Sequence, residues 1–348
     1  MPQAEAPPEL FVVFGPSKSG TTWVQKMLDA HPEVSCEFQP PLLSRTQTTK
    51  ADSLGVTLAD GTPFAGVFAD SDDEQRYRSR LEFLRKLDFL RRDFVAEAAS
   101  KDVGDEILLM HRNIVRTTVS AYLDSRTDKP IKGYKSHADL DYVMEVFPGA
   151  RFVLVVRDGR DVCVSMRHHR LRQGLYYVGD ERWSALSWLN RSGVCRRATK
   201  RIVRRFPRLK STLFRDLATG PLFSEASLGK AAHDWRVIAD LSQAAAEKYP
   251  SSTITVRYED LLNDPVRSLR SIFEFLGAGT SGSVVDSIVE AHTMARLKKS
   301  DDKSFFRKGV AGDWTNVFTD GDVQLFKQVA GESLIQLGYE PDNEWGLN

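Results

Sequence analysis

The sequence predicts an α/β protein of three layers: a central, mostly parallel sheet with helices on both faces. Three observations carry that expectation. Short apolar runs rich in Val, Ile and Phe, at 10–14, 151–157 and 253–257, have the length and composition of buried strands. Long stretches with helical spacing of apolar residues lie between them. The first run leads through a glycine-containing loop into a helical stretch, the opening unit of an α/β fold.

Each element follows from local chemistry. LFVVF at 10–14 ends at Gly15-Pro16, and TTWVQKMLDA at 21–30 reads as a helix that stops near His31-Pro32, because proline cannot continue it. Residues 40–75 mix Pro, Gly, Thr and Asp, with a short strand expected at 65–69. The spacing of Tyr77, Leu81, Leu84, Phe89 and Phe94 predicts one or two amphipathic helices over 74–99. A further helix is expected at 114–124, a weak strand at 130–134, and a short helix at 139–147 broken by Pro148-Gly149. The run RFVLVVR turns at Asp158-Gly159 into a helix reaching residue 170. Helices are then expected at 181–206 and 230–248, before the strand TITVR, and afterwards near 265–276, 284–297 and 320–336. The expected organisation is a flexible start over 1–9, a single domain over 10–340 with an insertion at 40–130, and a tail at 341–348.

The 348 residues, 41% hydrophobic and 27% charged, exclude a disordered or collagen-like chain. With 48 Lys and Arg against 47 Asp and Glu, bulk charge argues for neither nucleic acid nor an anionic membrane as partner. Cys36, Cys163 and Cys195 are too few for a disulfide framework and lack metal-clamp spacing, so each is read as a small buried hydrophobe. The first ten residues have neither a basic n-region nor an apolar h-region, and no run of 18 apolar residues occurs; the expected location is the cytoplasm.

The strongest local signal is GPSKSGTTW, 15–23. A loop between strand and helix exposes backbone N–H groups, and the helix start adds its own unpaired donors, which together make an anion cradle. Lys18 adds charge, and Thr21 and Thr22 can cap the helix. The Gly15-x4-Gly20 spacing copies the front of a Walker A loop, but Thr21-Thr22 stand where Lys-Ser or Lys-Thr should follow. That departure disfavours an ordinary ATPase or GTPase and leaves an atypical nucleotide kinase as an alternative.

On this loop and two further motifs in matching order, the chain resembles the sulfotransferases that use 3′-phosphoadenosine 5′-phosphosulfate (PAPS). The run KSGTTW at 18–23 is similar to the family's 5′-phosphosulfate loop. The resemblance implies that Lys18 stabilises the bridging oxygen, that Ser19, Gly20, Thr21 and Thr22 hold the 5′-phosphate, and that Trp23 lies near the adenine. RFVLVVRDGRDVCVS, 151–165, resembles the strand and helix that grip the 3′-phosphate through Arg157 and Ser165. RKGVAGDW, 307–314, resembles the stretch in which Arg307, Lys308 and the Gly309 N–H close over that phosphate. A weaker match, Tyr258-Glu259-Asp260-Leu261, implies a contact from Tyr258 to adenine. Asp161 is read as a helix-start acid making caps or local ion pairs. The family implies a fold related to P-loop kinases, and transfer of a sulfuryl group to a hydroxyl or amine, leaving adenosine 3′,5′-bisphosphate (PAP).

That reaction needs a base beside the acceptor and cations where charge builds on the leaving group. Two bases are open. Lys135-Ser136-His137 matches the K-T-H segment of cytosolic sulfotransferases, whose histidine takes the proton, and LDAHPEVSCE at 28–37 resembles the branch that uses a glutamate, near Glu37. The reading leans to His137 and keeps Glu37, as base or as orienting group. No metal is needed.

The acceptor is expected to be a small molecule, apolar or phenolic, between 40–126 and 171–181, with Phe38, Pro40, Pro41, Tyr176, Tyr177 and Trp183 as candidate walls. The K-x3-T-V-x3-E dimer segment of animal cytosolic relatives is not kept, since Thr315, Asp320 and Gln324 replace three of its residues and leave Thr319 alone; the oligomeric state stays open. The span 196–215 carries nine Lys or Arg and no acid. It leaves a non-catalytic nucleotide- or RNA-binding module as another alternative, or is one solvated helix face.

Overall fold

The computed structural model describes residues 7–38, 104–172, 222–293 and 309–346, together with Arg296. Five strands, β1 (Leu10–Phe14), β2 (Val34–Phe38), β3 (Ile131–Lys135), β4 (Ala150–Val156) and β5 (Thr253–Arg257), form one sheet in the order β2-β3-β1-β4-β5. Every pairing is parallel. Val12 of β1 is in register with Tyr134 on one side and Phe152 on the other.

All five β1 residues are buried because both faces of the sheet are covered. Phe11 and Val13 face a cluster with Met27, Leu28, Ile272 and Phe273. Leu10, Val12 and Phe14 face the opposite cluster, with Val119, Val143 and Phe147. A central parallel strand therefore reads as an unbroken apolar run rather than an alternating one. The edge strand β2, VSCEF, alternates buried and half-buried residues up to its exposed end at Phe38. The sequence reading contained no strand there, because Ser35 and Glu37 break the short apolar run.

Helices α1 (Thr21–Asp29), α2 (Gly104–Asp124), α3 (Leu140–Val146) and α4 (Gly159–Arg172) follow their strands or precede them as connectors. They are joined by α5 (Glu225–Lys248), α6 (Tyr258–Asn263), α7 (Pro265–Leu276), α8 (Gly282–Ala291) and α9 (Asp320–Gln336). The α7 bounds coincide with expectation for local reasons: Asp264 caps the Arg267 N–H at 3.0 Å, Pro265 opens the helix, and Gly277 closes it with φ 76°. Helix α2 starts ten residues before the expected 114, and α6, directly after β5, was not expected.

The expected strand at 65–69 and helices over 74–99 and 181–206 lie outside the described residues. A third apolar cluster joins α4, α5 and α9 to Trp235, Trp314 and Trp345, so the tail residue Trp345 sits in packed core. Among the described residues no helix is long and apolar enough to cross a membrane.

Candidate active site

The strand order reverses at β1: the chain leaves it for β2 and β3 on one side and then crosses to β4 on the other. In open parallel sheets the crevice beyond the carboxyl ends at such a point is where ligands bind. The glycine loop after β1 and the loop after β4 both open there.

The loop backbone is shaped for an anion. A Cβ on Gly15 would stand 2.1 Å from the Val155 carbonyl oxygen, so only glycine allows β1 and β4 to run together at this point. Lys18 is the only described non-glycine residue with positive φ, 69°, and Gly20 follows at 95° as the α1 N-cap. No side chain caps α1. The Gly20 carbonyl accepts from Trp23 and Val24, which leaves the Thr21 and Thr22 N–H groups at the open first turn without an intrahelical acceptor. Ser19 is fully buried, and its hydroxyl lies 2.6 Å from the Pro16 carbonyl and 3.2 Å from that of Val155. It serves the shape of the loop.

Arg157, 6% exposed at the end of β4, ties the three motifs together. Its Nη1 donates to the Lys18 carbonyl at 3.2 Å, and its Nη2 donates to the Val310 carbonyl at 3.0 Å. The guanidinium lies 4.3 Å from the centre of the Tyr258 ring, and Nε is buried with no hydrogen-bond partner among the described residues. A buried guanidinium with a donor that no described residue accepts suits an anion as its partner. Tyr258 also packs under Gly20, where a Cβ would come within 2.6 Å of its ring, and meets Trp23 edge to face at 6.1 Å. Trp23 is pinned by its indole N–H, which donates to the His292 carbonyl at 2.9 Å.

Asp161 is fully buried and does more than the expected cap or local pair. It receives the Gly312 N–H at 2.8 Å and the Trp314 N–H at 3.0 Å, and stands 3.5 Å from Arg157 Nη2. Burial pushes this carboxyl above the usual aspartate range, against the opposing pull of Arg157. Ser165, one turn further along α4, lies on the same helix face and is half-buried. Gly309 opens the third motif in a left-handed turn with φ 67°. Arg307 and Lys308 lie outside the described residues. The expected local ion pair is present, to Arg157 four residues earlier; the link to the Gly312–Trp314 turn was not expected, because nothing local in the sequence signals it.

The two candidate bases sit on the other side of β1. His137 follows β3 in a loop, edge-on to Phe14 with ring centres 6.2 Å apart. Burial, and then the Lys135 charge, lower its pKa to about 4, so the imidazole is neutral near pH 7. Lys135 is itself lowered to about 8 by burial, and its Nζ rests 4.9 Å from the centre of the Phe38 ring. Glu37 on β2 is held by Arg126 Nε at 2.7 Å and faces the Tyr122 hydroxyl at 3.5 Å.

His31, just past the end of α1, accepts the Glu33 N–H at Nδ1 (3.1 Å) and donates from Nε2 to the Gly279 carbonyl (2.9 Å). It is a satisfied core histidine. Among the described residues no group of three or more His, Cys, Asp and Glu is placed to hold a metal.

A parallel five-stranded sheet with a glycine loop at its switch point and a buried arginine beside that loop defines an open α/β protein with a crevice suited to an anion. The sulfotransferase domain family model matches residues 8–338, and the chain belongs to the sulfotransferase family. Local similarity reaches 32% identity over 97 residues to sulfotransferase 1A1 of Bos taurus, covering 22% of this chain and 33% of that one. It reaches 26% over 125 residues to flavonol 3-sulfotransferase of Flaveria bidentis, covering 30% and 40%. The aligned segments thus span only about a third of the curated relatives. Mouse sulfotransferase SULT7A1 complexed with PAP is similar at 18% identity and TM-score 0.48, covering 93% of this chain and 84% of that chain.

Proposed function

We propose that this protein transfers a sulfuryl group from PAPS to a hydroxyl or amine of a small-molecule acceptor. The observation that carries the reading is Arg157, buried, tied to both the glycine loop and the third motif, and holding an unused donor between them. An adenosine with phosphate at both ends suits that arrangement better than a nucleotide with a single phosphate chain. PAPS supplies the sulfuryl group and departs as PAP.

The roles of this chain's residues follow from charge and position. The Thr21 and Thr22 N–H groups and the α1 dipole hold the 5′-phosphate, with Gly20 allowing close approach and Ser19 shaping the loop. Lys18 steadies negative charge on the bridging oxygen. Arg157, Ser165 and the segment carrying Arg307, Lys308 and Gly309 hold the 3′-phosphate. Trp23 and Tyr258, in edge contact, form the adenine side. His137 accepts the acceptor's proton as its oxygen or nitrogen bonds to sulfur; burial keeps its imidazole neutral for that role while making it a weaker base than an ordinary histidine. Glu37, already engaged by Arg126 and Tyr122, orients the acceptor or holds the β2 edge in place.

Calorimetry with PAP and AMP tests the reading. PAP should bind at least tenfold more tightly, as expected for one additional phosphate held by charge-assisted hydrogen bonds of about 1.5–3 kcal/mol each. Equal binding of the two nucleotides would overturn it.

A further inference from the structure

The matched family region ends at residue 338, yet residues beyond it pack onto Arg160 and Glu259, beside the Arg157 turn. Arg160, 3% exposed, is the node. Its Nε and Nη2 pair with Asp158, with the closest contact at 2.6 Å, and its Nη1 pairs with Glu340. Its guanidinium lies 4.0 Å from the centre of the Trp314 ring and 4.5 Å from that of Trp345. Trp345 meets Trp314 edge to face at 5.8 Å.

A second tether runs in parallel. The Tyr339 hydroxyl donates to Glu259 Oε2 at 3.0 Å, and the other oxygen of Glu259 accepts the Asp158 N–H at 3.2 Å. Arg257 fixes the same segment by donating to the Leu337 and Gly338 carbonyls, with its guanidinium 4.2 Å from the centre of the Tyr339 ring. Both tethers converge on Asp158, the residue after Arg157. The Trp314 stack bears on the turn whose N–H groups Asp161 holds.

We infer that Arg160, Glu340 and Trp345 are positioning residues for the 3′-phosphate, locking the Gly312–Trp314 turn and the Arg157 backbone through the segment 339–345. Their contacts are with protein, so their effect on the ligand is indirect. Arg160 sits in the corner made by two nearly perpendicular indoles: without Trp345 it keeps only its Trp314 contact, and the 313–316 turn loses its outer support. This inference rests on the proposed use of PAPS.

The experiment compares PAP and AMP affinities of wild type, W345F, W345A and E340Q, with thermal unfolding alongside. W345A should lose about tenfold in PAP affinity while AMP affinity stays within twofold, and W345F should recover most of the loss. E340Q should show the same selective loss at smaller size. If W345A and E340Q fold and keep the wild-type PAP-to-AMP ratio, the positioning role is wrong. Equal weakening toward both nucleotides would also overturn it, since it would mark a purely structural contribution. Should W345A fail to fold, the E340Q ratio decides alone. A wild type that does not distinguish PAP from AMP would instead sink the PAPS reading itself.

Discussion

Substituting Asp161 by Asn keeps the size and shape of the side chain and changes only what it can accept. In the wild type, Oδ2 takes the Gly312 N–H and faces Arg157, while Oδ1 takes the Trp314 N–H. An amide has one acceptor oxygen, so either rotamer sets an NH2 group against a backbone N–H. One buried donor is then left unsatisfied, which costs about 1–3 kcal/mol. Loss of the charge opposite Arg157 adds less than the ~3–5 kcal/mol typical of a broken buried pair. The 3.5 Å contact is long, and Arg157 keeps the Lys18 and Val310 carbonyls. Burial, which raises the Asp161 carboxyl, also means that removing its charge relieves some desolvation.

The net expectation for D161N is a stability loss of about 2 kcal/mol. In a chain of this size that lowers Tm by about 3 °C. The same loosened turn should lower PAP affinity about tenfold, since it frees the third motif and Arg157 together. Urea unfolding with and without PAP reads both effects. A D161N protein as stable as wild type, with undiminished stabilisation by PAP, would refute the role assigned to this carboxylate.

Other expectations follow from the same geometry. R157K keeps the charge but loses the planar fork that spans two carbonyls, so PAP affinity should fall about 10- to 100-fold with little change for AMP, as read by competition binding. H137A should reduce kcat at saturating PAPS by about 100-fold or more, whereas E37A should act mainly on the acceptor KM; full turnover by H137A would move the base to Glu37. Because His137 is lowered to about 4, kcat/KM should show no acid limb near 6.5. The same shift means that the unfolded state binds more protons between about 4 and 6.5, so stability attributable to His137 rises with pH across that window. The rise is at most about 3–4 kcal/mol, and wild type should gain stability relative to H137A as pH increases there.

What was legible in the sequence was local. Strand β1, the glycine loop and α1 are one contiguous run whose composition states its own structure, and Arg157 stands at the end of the apolar run that became β4. The edge strand β2 was hidden because two of its five residues are polar, and only pairing with β3 makes it a strand. Asp161 was hidden for another reason: its partners are backbone N–H groups 151 and 153 residues away, and such donors leave no trace in residue type. Arg160 and Trp345 are likewise defined by a cation–ring contact closed across the chain. The acceptor side offered only scattered aromatics; of these Phe38 is described, and it is exposed beside Lys135.

The central claim is sulfuryl transfer from PAPS, and the direct measurement is PAP formation from PAPS, labelled in its sulfur, across a panel of phenolic and aliphatic hydroxyl acceptors. The account predicts acceptor-dependent release of PAP, with label recovered on the acceptor and the rate undiminished by EDTA. Absence of acceptor-dependent PAP release across the panel, together with Mg²⁺-dependent consumption of ATP, would contradict it and favour the kinase alternative.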